Sequence, residues 1–336
     1  MLLESMDAPN RVEAMLGLET ESYAELGRRL RAIEPSFVGT IARGSSDHAA
    51  GYAKYLIPQC TGRVVASIPP SIVTVLDSRL ELNDAFVLAL SQSGGSPDIL
   101  ATLERARAGG ALTASLVNQP GSLLAKAAEL SLSQGAGEEK SITATKSVLC
   151  TLTGIARIAA AWAEDRALNQ GLLKLPGALR QAASIGAEID EQLLKGVSHA
   201  FVISRGLGYG ASTELALKFK ETCGIHAEAF STAELRHGPR EIVDRNFLVI
   251  ALALPGSGES DVLQAAGEMR AQGARVLTVA QASQKPDFAL PEAPDFRLAP
   301  LLALQLVYPW IARAAVALGR NPDKPKTLAG KVIKTT

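Results

Sequence analysis

The chain has 336 residues, 34 basic and 34 acidic side chains, and 47% hydrophobic residues. That length suits two domains of about 150 residues each, and the balanced charge argues against nucleic acid as a partner. The first residues lack a basic region followed by an apolar core, so a secretory leader is not expected. The three isolated cysteines suit a reducing cytosol, so a cytoplasmic protein is expected. The four histidines do not show a metal-ligand spacing, and no metal is expected.

The predicted elements begin with one or two amphipathic helices in residues 1–30 and continue as alternating strands and helices. A helix is predicted at 147–163, and the stretch 164–186, which contains Gly171, Pro176 and Gly177, is predicted to connect two domains. The predicted strands are apolar runs without strict polar alternation, which is typical of a parallel sheet covered on both faces. They lie at 37–42, 85–90, 112–117, 200–204, 247–254 and 275–279.

The two halves repeat each other at an offset of 164 residues, which pairs Phe37-Val38 with Phe201-Val202. We therefore expect a first domain at 31–165 and a second at 190–320. The apolar stretch 301–318, interrupted by polar residues and a proline, predicts a buried helix, and no membrane partner is expected. The tail 321–336 is too rich in proline for regular helix and is predicted to close over a site.

The run Ser91-Gln92-Ser93-Gly94-Gly95-Ser96 lies between a predicted strand and a helix predicted at 97–108. Unpaired N–H groups in the first helical turn, the helix dipole, the glycines and three hydroxyls favour a small anion there. Neither nucleotide-binding glycine motif is present, so a phosphate monoester is favoured. An ordinary Ser/Gly loop is the alternative. The corresponding loop 255–260 has fewer hydroxyls and an added Glu259, so only the first loop is expected to hold phosphate.

Glu214, Lys218 and Glu221 have the spacing of one helix face. This pattern is typical of a solvated face with intrahelical ion pairs. It also fits a carboxylate base beside a lysine, which a proton transfer between adjacent sugar carbons requires. His237 precedes Gly238-Pro239, so its imidazole is held on a constrained turn, although a surface histidine is the common alternative.

Together these residues resemble the sugar isomerase (SIS) domain family over nearly the whole chain, from about residue 30 onward. The similarity is to the isomerase half of glutamine-dependent glucosamine-6-phosphate synthase and, more closely, to SIS-type glucosamine-6-phosphate deaminases. It rests on Gly44-Ser45-Ser46, Ser91-Gln92-Ser93-Gly94, Thr145-Lys146, the 214–221 segment, His226-Ala227-Glu228-Ala229 and the 234–239 segment. The resemblance implies two tandem SIS domains, each a parallel five-stranded sheet flanked by helices in a flavodoxin-like three-layer sandwich.

The resemblance also implies roles for individual residues and a homodimer whose sites are shared between subunits. Glu221 matches the base that moves a proton between C1 and C2, Lys218 the lysine that assists it, and His237 a ring-opening histidine from the neighbouring subunit. The residues that match phosphate-binding positions are Ser91, Gln92, Ser93 and Ser96, and those that touch the sugar or its phosphate are Ser45 and Ser46.

Two positions depart from the synthase pattern. Gly330 occupies the register of the synthases' reactive C-terminal lysine, so that role is carried to Lys331, one place later. Ala144 stands where a serine would contact the ligand.

The activity that the resemblance implies is deamination of glucosamine 6-phosphate to fructose 6-phosphate and ammonia, without metal or organic cofactor. Leu2 follows Met1 and no cysteine precedes Cys60, so hydrolysis of glutamine by an N-terminal cysteine is not expected. The expected partner is a small phosphorylated amino sugar. The alternatives are a deglycase of fructosyl-amino-acid 6-phosphates, a phosphosugar isomerase without deamination, and a non-catalytic sugar-phosphate sensor.

Overall fold

The computed structural model describes residues 1–327, which divide into two compact units. The first unit comprises Asn10–Glu138 and Lys146–Leu173. The second comprises Met1–Pro9, Glu139–Thr145 and the described chain from Lys174 onward. Two helices contribute residues to both units: α1 (Leu2–Leu16) and α8 (Arg166–Glu188).

The first unit contains a five-stranded parallel sheet in the order β2-β1-β3-β4-β5. Its strands are β1 (Phe37–Ile41), β2 (Val64–Ser67), β3 (Ala85–Ser91), β4 (Leu112–Val117) and β5 (Leu130–Ser133). Its other helices are α2 (Thr20–Ile33), α3 (Ser45–Thr61), α4 (Ser71–Thr74), α5 (Pro97–Ala108), α6 (Leu123–Ala127) and α7 (Lys146–Ala163).

The second unit repeats this topology in a parallel sheet of order β10-β9-β8-β6-β7. Its strands are β6 (His199–Ser204), β7 (His226–Ser231), β8 (Phe247–Ala253), β9 (Arg275–Gln281) and β10 (Phe288–Leu290). Its other helices are α9 (Tyr209–Lys218), α10 (Thr232–Arg236), α11 (Glu259–Ala271) and α12 (Ala299–Ala317). In each unit the strand order is that of a flavodoxin-like sheet, which confirms the predicted fold class.

Burial of both sheet faces explains the apolar runs in the sequence. All seven residues of β3 are buried, and Val87 and Ala89 pack in one cluster with Ile99 and Leu103 of α5. Full burial of a valine or leucine side chain stabilises the fold by about 1.5–3 kcal/mol, so a central strand needs apolar residues on both faces. The ligand-binding edge of such a sheet is its carboxyl edge, where β3 ends at Ser91.

The structural repeat has a different offset from the one predicted. The strand β6 begins 162 residues after β1 (Phe37 to His199), and the same interval separates β3 from β8 and α5 from α11. The matching Phe-Val pairs are therefore displaced by two residues in the fold. Similar apolar dipeptides recur by chance in buried strands, whereas strand register depends on the whole sheet.

The predicted connection 164–186 crosses the division between the two units, and most of it lies in α8, a single helix of 23 residues that continues through Pro176. One other prediction is incomplete. The short strands β2, β5, β7 and β10 were absent from the predicted set. They are the edge strands of the two sheets, and most residues of β2, β5 and β7 are partly or fully exposed, so these strands lack a continuous apolar run.

The apolar stretch near the C-terminus forms a core helix, as predicted. One segment of the described chain, Phe296–Ala317, is long and apolar enough to cross a membrane by length and composition, but 89% of its most apolar window is buried inside the protein. At the N-terminus Met15, Leu26 and Leu30 are buried, whereas Met6 is exposed.

Candidate active site

The loop between β3 and α5 turns its carbonyl groups towards donors of the first unit. The Gln134 side chain donates to Ser91 O at 3.2 Å, Asn118 N–H donates to Gln92 O at 3.2 Å, and Leu124 N–H donates to Gly94 O at 3.1 Å. Each of these three carbonyl oxygens therefore has a protein donor. An anion that approaches this loop meets less repulsion from the negative ends of its peptide dipoles.

The serine hydroxyls of this loop are available as donors to an anion. Ser91 Oγ accepts from Gly94 N–H at 3.0 Å and Ser93 Oγ from Gly95 N–H at 3.3 Å. The N–H groups of the two glycines are thus used within the loop, whereas we expected the glycine backbone to approach the anion. The hydroxyl protons have no acceptor among the described residues. Ser91 and Ser93 can therefore donate to a phosphate oxygen.

Gly94 is the position at which this loop requires glycine. Its φ of 62° is in the left-handed region, and a Cβ there would collide with Ser122 Oγ. Ser122 begins α6, where its hydroxyl accepts from Ala125 N–H. The close approach of the loop to α6 leads to the hydrogen bond from Leu124 to Gly94.

The serines at the start of α3 lie at the same edge of the sheet. Strand β1 pairs in parallel with β3 through Ile41 and Ala89, so the loops that follow both strands leave the sheet side by side. Ser45 and Ser46 are the first residues of α3, and both are partly exposed. The structure therefore brings the predicted sugar-contacting and phosphate-binding segments to one edge of the first unit.

Sequence reasoning missed Arg43, which connects these two segments. Its guanidinium Nε donates to Asp98 Oδ2 at 3.0 Å. Asp98 lies in the first turn of α5 and is buried. The one available signal was position, since Arg43 directly precedes Gly44-Ser45-Ser46 after a predicted strand.

In the second unit the predicted carboxylates and lysine form one cluster. Lys218 Nζ lies 3.2 Å from Glu214 Oε1 and 2.7 Å from Glu221 Oε2. The side chains of Glu214 and Lys218 are 1% exposed and that of Glu221 is 23% exposed. This burial excludes the solvated-face alternative for Lys218 and Glu214.

A π-helical turn explains how Glu221 reaches the lysine. Helix α9 ends at Lys218, and Phe219–Cys223 form a wider turn that contains Glu221. Single π-turns are rare, occur often at functional sites and change the direction of the side chains that follow. The Glu221 side chain is therefore partly exposed to solvent and at the same time forms an ion pair with a buried lysine.

Electrostatics keep the cluster charged. Burial alone would lower the pKa of Lys218, but the neighbouring carboxylates of Glu214 and Glu221 outweigh burial and raise it. The Tyr308 hydroxyl donates to Glu214 Oε1 at 3.3 Å. Burial and the Glu214 carboxylate raise the pKa of Tyr308 well above its ordinary value. The cluster is therefore an ammonium between two carboxylates, with a neutral phenol as an additional donor.

His237 lies apart from these contacts. It follows α10 directly, is exposed, and precedes Gly238, whose φ of 145° only glycine adopts readily. Its imidazole makes no hydrogen bond within residues 1–327 and contacts neither Lys218 nor Glu221 by one. Its placement as a ring-opening group therefore stays a prediction.

The remaining site predictions have different outcomes. Lys331 lies outside the described residues, as does most of the tail. The beginning of the tail contacts the 141–143 segment of the second unit, because Thr143 donates to Pro322 O and Ile142 N–H to Asp323 O. Ala144 directly follows that segment. No group of three or more metal-ligating side chains occurs in the part of the chain that the structure describes.

Comparisons with known proteins agree with this architecture. The SIS domain model matches residues 38–160 and 193–289. The chain is 32% identical over 96% of its length to the glutamine–fructose-6-phosphate aminotransferase (isomerizing) of Symbiobacterium thermophilum, and 32% identical over 98% to that of Methanothermobacter thermautotrophicus. It spans about half the length of these curated relatives, covering 55% and 56% of them.

Solved structures show the same fold along the whole chain. A candidate phosphosugar isomerase from Silicibacter pomeroyi has a TM-score of 0.89 and 35% identity, with 96% of this chain and 99% of that one covered. The glucosamine-6-phosphate deaminase of Thermotoga maritima has a TM-score of 0.81 and 23% identity, with 99% of both chains covered, and shows the fold alone. The chain belongs to the SIS domain family and is homologous to the isomerase half of glutamine–fructose-6-phosphate aminotransferase.

Proposed function

We propose that this protein is a phosphosugar enzyme of the isomerase type that converts glucosamine 6-phosphate and water into fructose 6-phosphate and ammonia. The observation that carries the proposal is the partly exposed Glu221 carboxylate, held 2.7 Å from the buried ammonium of Lys218. A proton transfer between adjacent sugar carbons needs one base in a defined position. A buried cation on a helix supplies that position.

The proposed reaction uses Glu221 for both proton transfers. In the open-chain substrate Glu221 removes the proton from C2 while the aldehyde oxygen at C1 gains a proton, which gives an enolamine. Glu221 then returns its proton to C1 while the nitrogen loses one, which gives an imine at C2. Water then adds to C2 and ammonia leaves. The nitrogen of the substrate stabilises both intermediates. The protein therefore needs to orient the sugar and move a proton.

The loop Ser91–Ser96 is proposed to bind the phosphate group of the same substrate. Its hydroxyl protons and inward-facing carbonyls support this role. Ser45 and Ser46 contribute at the same sheet edge. His237 is proposed to open the sugar ring from a neighbouring subunit of a homodimer, and Lys331 to act from the tail.

The relatives support an amino sugar as the substrate. Their name describes the attachment of an amino group to fructose 6-phosphate with isomerisation. By microscopic reversibility, the same proton transfer between C1 and C2 also works in the opposite direction. In water without added ammonia, hydrolysis of the imine drives that opposite direction. The three free cysteines support a cytosolic location for this chemistry.

The first test is the release of ammonia from glucosamine 6-phosphate, with fructose 6-phosphate measured in the same reaction. Equal amounts of both products are expected from the wild type. Loss of the general base in Glu221→Gln is expected to lower kcat by about 10²- to 10⁴-fold. Absence of ammonia from a wild type that binds the sugar would exclude the deaminase.

One observation favours a second candidate, an aldose–ketose isomerase without loss of nitrogen. The Silicibacter pomeroyi structure, at 35% identity, is described as a candidate phosphosugar isomerase. The same assay with glucose 6-phosphate separates the two activities, since an isomerase forms fructose 6-phosphate without ammonia. Release of an amino acid from a fructosyl-amino-acid 6-phosphate would instead indicate a deglycase, and binding without any turnover a sensor.

A further inference from the structure

The proposed phosphate loop carries no charged side chain, although a phosphate monoester has a charge of about −1.5 to −2 at neutral pH. The nearest acidic groups in sequence make this deficit larger. Asp98 lies in the first turn of α5, and Asp47 in the first turn of α3. Carboxylates at helix starts stabilise the helices, but they repel a bound phosphate.

Arg43 has the charge and the position to correct this deficit. Two residues beyond the Ile41–Ala89 pair, Arg43 and Ser91 leave the sheet at the same edge. The backbone at Arg43 begins the turn into α3, since its carbonyl accepts from Ser46 N–H at 3.2 Å. Its guanidinium extends to Asp98, two residues after Ser96. The side chain therefore runs between the two predicted ligand-binding segments.

The way in which Arg43 is anchored leaves most of its donors available. Only Nε contacts Asp98 Oδ2, while the other Asp98 oxygen accepts from the backbone of Ile99. The two terminal amino groups of Arg43 donate to no other described residue. The side chain is 48% exposed, whereas that of Asp98 is 2% exposed. A guanidinium fixed at Nε, with both terminal groups open, has the donor geometry for a phosphate or carboxylate.

We propose that Arg43 binds the phosphate group of the substrate, with Asp98 as the buried anchor that orients the guanidinium. This inference rests on the proposed phosphosugar function and adds a binding residue to it. Arg43 makes the site selective for dianionic phosphate esters over neutral sugars. It supplies the positive charge that serine hydroxyls lack.

The internal repeat offers a matched control. Arg205 follows β6 as Arg43 follows β1, and each is followed by glycine. Arg205 is also exposed, and its Nη1 donates to Ser231 Oγ at 3.3 Å. The loop after β8 has fewer hydroxyls and carries Glu259, so Arg205 should not bind phosphate. Arg205→Gln therefore removes the same charge from the equivalent position of the other unit.

The test is the dissociation constant of fructose 6-phosphate, measured by titration calorimetry for the wild type, Arg43→Gln and Arg205→Gln. We expect at least tenfold weaker binding in Arg43→Gln and a change within twofold in Arg205→Gln. In the wild type the affinity should rise between pH 5 and pH 7, as the phosphate loses its second proton near pH 6. That rise should be reduced in Arg43→Gln.

A double variant separates ligand binding from a structural role. Arg43→Gln alone removes the ion pair between Arg43 and the buried Asp98 and can lower the melting temperature. In Arg43→Gln/Asp98→Asn the buried carboxylate charge is removed as well, so the melting temperature should recover while binding stays weak. Wild-type affinity in the double variant, or in Arg43→Gln itself, would overturn the inference.

The same measurements separate this inference from the proposed reaction. Binding of fructose 6-phosphate that depends on Arg43, without release of ammonia from glucosamine 6-phosphate, contradicts the deaminase and retains the role of Arg43. Release of ammonia, together with equal affinity for fructose 6-phosphate in the wild type and Arg43→Gln, supports the deaminase and contradicts the role of Arg43. A wild type that binds no sugar phosphate contradicts both.

Discussion

At the scale of single residues, a buried lysine holds the candidate base in place. Lys218 is completely enclosed and contacts two carboxylates, one of which, Glu214, is also buried. A buried charge is tolerated when a partner of opposite sign and further hydrogen bonds compensate for the loss of water. Tyr308 supplies one of those hydrogen bonds to Glu214. The position of Glu221 therefore depends on a network in the protein interior.

Replacement of Lys218 by methionine should destabilise the second unit strongly, because Glu214 would remain buried without its cation. We expect the free energy of unfolding to fall by about 3–5 kcal/mol, the usual cost of breaking a buried pair from one side. Urea denaturation at pH 7 measures this change. The raised pKa of Lys218 means that the ion pairs persist from neutral pH to above pH 10 and are lost as the pH rises through that pKa.

Lys220→Met is the control, because Lys220 lies in the same π-helical turn but is exposed. Its removal should change the free energy of unfolding by no more than about 0.5 kcal/mol. Equal stability of Lys218→Met and the wild type would show that the cluster does not need its cation.

At the scale of secondary structure, the short helix before His237 is held by its neighbour. Helix α10 has only five residues, too few for independent stability. Arg236 ties it to α11 through Asp261 at 2.7 Å and Glu268 at 3.1 Å, and Thr232 also donates to Asp261. These contacts of Arg236 and Thr232 with α11, called the clamp below, fix Arg236, which directly precedes His237. The direction of the His237 imidazole thus depends on contacts made by α10.

We expect Arg236→Gln to lower the melting temperature at pH 7 by about 2–4 °C, which corresponds to about 1 kcal/mol for a partly exposed network. The hydrogen bond from Arg236 lowers the pKa of Glu268. Burial would raise the pKa of Asp261, but hydrogen bonds from Thr232 and Arg236 outweigh burial and lower it. The clamp therefore stabilises the protein above the ordinary carboxylate range and is lost as the pH falls through the lowered values.

Melting temperatures of the wild type and Arg236→Gln between pH 3 and pH 7 test this expectation. The difference between them should shrink below about pH 4. Arg240→Gln removes a more exposed and more distant partner of Glu268, at 3.7 Å, and should have a smaller effect. A difference that is independent of pH, or an equal effect of both substitutions, would argue against the clamp.

At the scale of the whole molecule, the candidate phosphate loop and the candidate base lie in different units. The serine loop belongs to the first unit, and Lys218, Glu221 and His237 belong to the second. Both units have the same strand order, but the loop of the first unit has more hydroxyl side chains. The repeated topology therefore provides two similar frames with different loops.

The proposed sharing of sites between subunits predicts complementation between two inactive variants. Glu221→Gln and His237→Gln, expressed separately, should each have little activity. In a random mixture of subunits, half of the dimers are mixed, and each mixed dimer has one intact site of two. The mixture should therefore recover about a quarter of the wild-type activity. Ammonia release after co-expression measures it.

Recovery close to zero would place Glu221 and His237 of each site in the same subunit, or exclude the dimer. The control is a mixture of Glu221→Gln with Glu221→Ala, which cannot form an intact site. Gel filtration at the assay concentration reports the size of the assembly in the same samples.

Local signals in the sequence predicted the backbone of the first unit well. Helix α5 runs from Pro97 to Ala108, as the pattern indicated, because proline is favoured in the first turn of a helix and Gly109 follows its end. The central strands were recognised from continuous apolar runs. These features depend on neighbours along the chain, so composition and spacing are sufficient to indicate them.

The features that depend on contacts between distant parts of the chain were decided only by the tertiary structure. The spacing of Glu214, Lys218 and Glu221 is the same for a solvated helix face and for a buried cluster, and only packing against Tyr308 and α12 distinguishes them. The pairing of Arg43 with Asp98 joins residues 55 positions apart. The sequence by itself determined an α/β chain with a hydroxyl-rich loop between a strand and a helix and a carboxylate–lysine motif. Burial, which depends on the whole fold, decided which of those charges form a site.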